Sequence, residues 1–155
     1  MKAVVHNVYG FPDVLEIQEI DKPNVTDDGV LVRVRAASIN PVDWYGVTGK
    51  PYVARIQGGL RKPKSNRLGV DFAGTVEAVG KDITQFRAGD EVFGARSGAL
   101  AEYVCVRDAV VLKPANLTFE QAASVAVAAL TALQGLRDKG QIQPGQKVLI
   151  NGASG

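Results

Sequence analysis

The side chains that most often do covalent or metal chemistry occur once each in this chain: one histidine, His6, and one cysteine, Cys105. A hydrolytic triad needs an imidazole between a nucleophile and a carboxylate, and His6 has only Lys2 and Val4 on its own strand face. That reads as a surface strand histidine. One Cys and one His also fall short of the roughly three protein ligands that a catalytic zinc takes. Cys105 alternates with Val104 and Val106 and has no His or Cys near it in sequence, so it reads as a packed thiol. What remains is binding chemistry. Residues 147–150, Lys-Val-Leu-Ile, form an apolar strand pattern running into Asn151-Gly152-Ala153-Ser154-Gly155. A glycine-rich strand-to-helix turn of this kind lets backbone N–H groups approach a pyrophosphate at a helix N-terminus.

The elements that must position such a site are mostly short strands. Residues 1–7 and 15–20 read as strands joined by the turn-rich Tyr9-Gly10-Phe11-Pro12-Asp13. Residues 30–39 alternate, with Val30, Val32, Val34 and Ala36 inward and Arg33 and Arg35 on a solvated face. Asn40-Pro41 then suits an N-cap followed by the first helical position. In that helix Asp43 is expected as a surface acid and Trp44 in the core. Residues 69–94, GVDFAGTVEAVGKDITQFRAGDEVFG, are the organising stretch. Phe72, Gly74, Val76 and Ala78 should share one face, with Ala73, Thr75, Glu77 and Val79 opposite. Its glycines fall where a small β-barrel turns corners. Strands at 99–107 and 110–113 complete that barrel, and Pro114 ends it.

Two stretches read in two ways. Residues 46–68 hold Lys50, Arg55, Arg61, Lys62, Lys64 and Arg67, with no acid between Asp43 and Asp71. This is either a basic flap drawing an anionic ligand into a cleft or a solvated loop. Thr118 and Gln121 form a capping box opening a helical run. Residues 122–136 are apolar nearly all round, the signature of a helix buried between two bodies. One helix or two both fit. Thr131, a rare hydroxyl there, can bond back to a carbonyl one turn earlier or face a ligand.

The chain of 155 residues, 46% hydrophobic and 22% charged, has the composition of an ordinary globular domain. A formal net charge of +2 gives no footprint for nucleic acid. No apolar run reaches the ~18 residues of a membrane helix, and the start lacks a signal-peptide core. A single cysteine forms no intramolecular disulfide framework. The expected compartment is the cytoplasm.

In order along the chain, MKAVV, GFPDVLEI, SINPVDW, GVDFAGTV, AGDEVFG, AEYV and KVLINGASG resemble the medium-chain dehydrogenase/reductase superfamily. The resemblance runs over the whole chain and is closest to the zinc-free quinone oxidoreductases and their enone-reducing relatives. It implies a mainly β fold with some α. A GroES-like substrate domain is expected over residues 1–117. A bridge helix and the first strand of a dinucleotide-binding (Rossmann) domain should follow over 118–155. Zinc-dependent members place a Cys near Asn40 and a His-Glu pair where this chain has Val70-Asp71, so the resemblance also implies no zinc.

The implied cofactor is NADPH, with NADH possible, and the implied reaction is hydride transfer to a quinone or α,β-unsaturated carbonyl. Asn40, Thr131, Gly152, Ala153, Ser154 and Gly155 would bind cofactor. Tyr45 and Tyr52 would act on substrate, as hydrogen-bond donors able to hold a developing oxyanion without a metal. The isolated chain is expected to be inactive or nearly so. An apolar helix face left uncovered points to homodimerisation or aggregation. Two alternatives are an enoyl-thioester reductase, suited to the basic loop, and a non-enzymatic GroES-like interaction module.

Overall fold

A computed structural model of the chain describes residues 1–152. Ala153, Ser154 and Gly155, expected in the phosphate-binding turn, lie outside the described residues. Strands β1 (Lys2–Val5) and β2 (Glu16–Glu19) form an antiparallel hairpin. A second, five-stranded antiparallel sheet runs β6-β3-β4-β5-β7. Its members are β3 (Val30–Ser38), β4 (Asp71–Val79), β5 (Glu91–Ala95), β6 (Tyr103–Val106) and β7 (Val110–Leu112). Helix α1 (Pro41–Thr48) and the short α2 (Arg55–Gly58) lie between β3 and β4. Helices α3 (Phe119–Ala123) and α4 (Ala126–Leu133) follow the last strand.

The strand content is as expected, but the barrel is not closed by a continuous ladder. The hairpin meets the larger sheet through isolated bridges, Ala3 to Ala101 and Val5 to Arg67. Between them run single backbone bonds, such as Val4 N–H to the Leu100 carbonyl at 2.8 Å.

The main core is built from Val30, Val32, Phe72, Val76, Val92, Val104 and Val106. Strict alternation holds for Val30 and Val32 and then breaks at two bulges. Leu31 opposes Ala78 and Val32 opposes Val76, so Glu77 is passed over and Val79 packs on the same core as Val76. Val34 opposes Gly74 and Ala36 opposes Ala73, which passes over Arg35. Ala36 therefore leaves the Val30 face and joins Ala73, Ala122 and Ala123 in a second cluster under α3. An extra residue in one strand flips every side chain after it, which period-two reading cannot see. The bulges make the sheet two-faced. One face holds the barrel core and the other carries the helices.

Thr118 opens α3 with the expected box: Gln121 N–H donates to its hydroxyl at 3.2 Å, and Thr118 N–H donates to the Gln121 amide oxygen at 3.0 Å. The apolar run then splits into two helices without a proline. The Ser124 hydroxyl donates to the Gln121 carbonyl at 2.8 Å, drawing off an acceptor of the helix ladder. Only the start of α4 is buried, at Ala126; Leu130 and Leu133 are exposed. The expectation of burial between two bodies is met on one side alone. Residues 147–150 are extended but pair with no strand among the described residues, and Leu149 is 93% exposed. The expected strand thus has no ladder, because strand pairing needs a neighbour.

Gly74 marks where β3 and β4 approach most closely: a methyl there would stand 2.2 Å from the Arg33 carbonyl oxygen. Gly46, inside α1, would place the same methyl 3.9 Å from Leu68. Gly74→Ala should therefore lower unfolding stability by about 3 kcal/mol or more, while Gly46→Ala leaves it equal or raises it by up to about 1 kcal/mol. Urea denaturation of the two variants checks the opposite signs.

Candidate functional site

The site is organised where β3 hands the chain to α1. Asn40 is the extended N-cap residue and Pro41 opens the helix, as the dipeptide suggests. Asp43 completes this end from inside the first turn: its Oδ2 accepts from Asn40 N–H at 2.8 Å. Its Oδ1 accepts from Gly69 N–H at 3.1 Å, tying α1 to the segment that enters β4. Asp43 is only 7% exposed, so the surface acid expected there is a buried strut. A carboxylate so placed must be hydrogen-bonded, and both oxygens are.

The Asn40 amide turns toward β4. Its Nδ2 donates to Asp71 Oδ2 at 3.2 Å, beside the Ser38 hydroxyl at 3.4 Å. Asp71 is 0% exposed, and both of its oxygens also accept from the Val127 N–H at 3.2 Å. Val127 stands in the first turn of α4, whose N–H groups have no partner within the helix. A buried carboxylate there satisfies one of them and meets the positive end of the helix dipole. Sequence reasoning missed Asp71 as a site residue. The available signal was an acid at the mouth of an otherwise apolar strand.

Thr131 lies one turn further along α4, and its hydroxyl donates to the Val127 carbonyl at 2.7 Å. Its proton is therefore taken, while its oxygen can still accept. Asn40 and Thr131 do not touch, but Asp71 and Val127 connect them.

Beside α1 opens a cleft of about 530 Å³, walled by Tyr9, Val42, Tyr45, Gly46, Leu68 and His6 among others. Its lining is mainly apolar, which suits a flat hydrophobic ligand. Tyr45 lies in the second turn of α1 and lines the cleft half-exposed. Tyr52 is 69% exposed and outside the lining, its ring 5.0 Å from the Arg55 guanidinium carbon. His6 contradicts its surface reading: it is 2% exposed and forms part of the cleft wall. Its Nδ1 sits 3.3 Å from the Val8 carbonyl, and its strand has curled toward the residue 66–67 segment. Trp44, expected in the core, is partly exposed and packs on Phe11 at 6.1 Å between ring centroids. Neighbouring helix residues face different ways, and Asp43, Val47 and Thr48 take the inner positions. Cys105 is half-buried on the strand face opposite Val104 and Val106.

At the far end, Gly152 has a left-handed φ of 70° with open space where a side chain would stand.

The model of the alcohol dehydrogenase GroES-like domain matches residues 26–116. A quinone oxidoreductase from Lama guanicoe is 36% identical over 162 residues, spanning 100% of this chain and 46% of that protein. A chloroplastic NADPH-dependent alkenal/one oxidoreductase from Arabidopsis thaliana is 36% identical over 100% of this chain and 42% of that protein. The structure of Escherichia coli quinone oxidoreductase complexed with NADPH superposes with a TM-score of 0.80. It is 28% identical and covers 94% of this chain and 43% of the other. The chain thus spans about half the length of the proteins it matches.

Removing the Asp71 carboxylate strands the Val127 N–H and the Asn40 amide. Asp71→Ala should lower stability by about 2–4 kcal/mol, and Asp71→Asn, which keeps one acceptor, by less. Equal denaturation midpoints for Asp71→Ala and the unaltered chain would show that the clasp contributes nothing.

Proposed function

The chain belongs to the alcohol dehydrogenase GroES-like domain family, on the quinone oxidoreductase branch of the medium-chain dehydrogenases/reductases, and from that premise we propose that it is the acceptor-binding half of an NADPH-dependent, zinc-independent reductase of quinones or α,β-unsaturated carbonyls. Residues 1–117 form the acceptor side. Residues 118–155 form the bridge and the opening of a dinucleotide-binding unit. The observation that carries the reading is the mainly apolar cleft with Tyr45 on its wall, built on the helix whose cap residue is clasped to α4.

A reduced nicotinamide, when bound, supplies a hydride; the chain's own residues position and polarise. Asn40, Thr131 and the turn at 152–155 are the cofactor-binding groups in this reading. The Thr131 oxygen remains free to accept from a carboxamide, because its proton already goes to Val127. Tyr45 Oη donates to the acceptor carbonyl and stabilises the oxyanion that develops there. The apolar cleft walls exclude water from the reacting centre. Metal-independent chemistry is supported by what Asp71 does: at the position of the zinc-binding members' His-Glu pair, its carboxylate is engaged by neutral donors. Tyr52, stacked beside Arg55, takes the smaller role.

In the polypeptide its gene encodes, NADPH oxidation should respond to quinones and enones and survive chelators. Tyr45→Phe should lower kcat/KM about a hundredfold, whereas Tyr52→Phe stays within about threefold. Loss of turnover on chelation, or equal effects of the two tyrosine variants, refutes this assignment.

The exposed Leu130, Leu133 and Leu149 are taken to lie under the dinucleotide-binding half or against a second copy in a homodimer. Residues 1–155 alone should therefore be inactive, bind a hydrophobic dye and self-associate. A strictly monomeric, dye-silent chain in gel filtration contradicts the covered-face reading.

A further inference from the structure

Charge is distributed unevenly over the chain. The stretch between Asp43 and Asp71 carries six basic residues and no acid, while the rest carries four more acids than bases. Elsewhere six of the twelve cations have carboxylate partners among the described residues, including Lys22 with Glu77, Lys81 with Asp27, Arg107 with Asp28 and Lys113 with Glu91. Within the basic stretch, Arg55 is engaged by the Gly49 carbonyl at 2.9 Å and by the Tyr9 ring. Lys50 stands over the Phe11 ring at 5.9 Å. Arg61, Lys62 and Lys64 make no ion pair and no side-chain hydrogen bond among the described residues. All three line one cavity of about 540 Å³, with the amides of Asn7 and Asn66 also on its wall.

This loop is held in place. Tyr9 Oη donates to the Gly59 carbonyl at 2.6 Å. Lys64 N–H donates to the Gly58 carbonyl at 2.7 Å, and His6 N–H to the Asn66 carbonyl at 2.8 Å. Gly59 has a φ of 115°, and a methyl there would meet the Lys62 carbonyl oxygen at 2.1 Å. Only glycine permits this turn, which carries the exposed Arg61, Lys62 and Lys64 on one short loop. Like charges gathered on an anchored loop repel one another unless an anion joins them. The cavity and the Tyr45 cleft share a wall, since Pro63 and Lys64 line both.

We propose that this cavity is an anion subsite for the acceptor: it takes a phosphate ester carried on the tail of a molecule whose reducible end lies in the Tyr45 cleft. The proposal rests on the reductase reading above. A doubly charged phosphate with several acceptor oxygens matches three cations and two amides better than a single carboxylate does. The shared chemistry has a second source, the phosphates of the cofactor itself, and the assays below separate them.

The first arm is titration of the gene-encoded polypeptide, saturated with NADPH, with inorganic pyrophosphate, followed by calorimetry. Binding should weaken sharply by about 0.5 M salt, and Arg61→Gln/Lys62→Gln/Lys64→Gln should raise Kd about tenfold or more. An unchanged Kd in that variant overturns the subsite. The second arm uses the gene-encoded polypeptide with NADPH and a matched pair of enones, one phosphate-tailed and one neutral. Arg61→Gln/Lys62→Gln should raise KM for the tailed enone about tenfold more than for its neutral twin. A rise in KM for NADPH with both enones assigns the anion to the cofactor and overturns the acceptor tail. If pyrophosphate binds as expected but neither enone is reduced, the reductase reading fails and the acceptor tail fails with it. The anion site then stands.

Discussion

The Asp71 carboxylate is the interaction on which the arrangement of the site depends. It is wholly buried and faces three donors from two distant parts of the chain: Ser38 and Asn40 where β3 meets α1, and Val127 in α4. Its cost of desolvation is met by hydrogen bonds and by the positive end of α4, and it is in no ion pair among the described residues. Hydrogen bonds to a charged acceptor are stronger than neutral ones, so the carboxylate orders these donors around one point. The acceptor side and the bridge helix therefore share a single junction, and Asn40 and Thr131 are both referred to it.

That junction is possible because the central sheet has two usable faces. The two bulges in the β3–β4 ladder turn Val79 into the barrel core and Ala36 out to the helices. Small residues on the outer face, Ala36 and Ala73, let α3 lie close through Ala122 and Ala123. α3 packs against β3 and β4, which places the start of α4 over the end of β4 where Asp71 stands. A larger residue at Ala73 would lift α3 off the sheet and lengthen the Val127 bond to that carboxylate.

Helix α1 links the junction to the cleft. Its first turn is fixed by Asp43 to both Asn40 and Gly69. Its second turn presents Tyr45 to the apolar cavity. The basic loop that follows is tied back to the first hairpin by Tyr9 and His6, so cleft and cations share one wall. In the proposed reading, an apolar pocket next to a positive field divides the part of a ligand that reacts from the part that is recognised by charge.

Much was legible in the residues themselves. Local rules were sufficient for most of the strands, the Asn40-Pro41 helix start and the Thr118–Gln121 box, because each involves groups a few residues apart. The scarcity of His and Cys, the resemblance to the family and the uneven charge were compositional or ordered facts and needed no coordinates. The tertiary structure decided the rest. It buried His6 and Asp43, exposed Trp44, flipped the strand faces at the bulges and left residues 147–150 without a ladder. It also broke the apolar run into two helices beside an acid 56 residues away in sequence. Each of these outcomes depends on which distant group arrives opposite, and hydrophobic period and propensity carry no information about that.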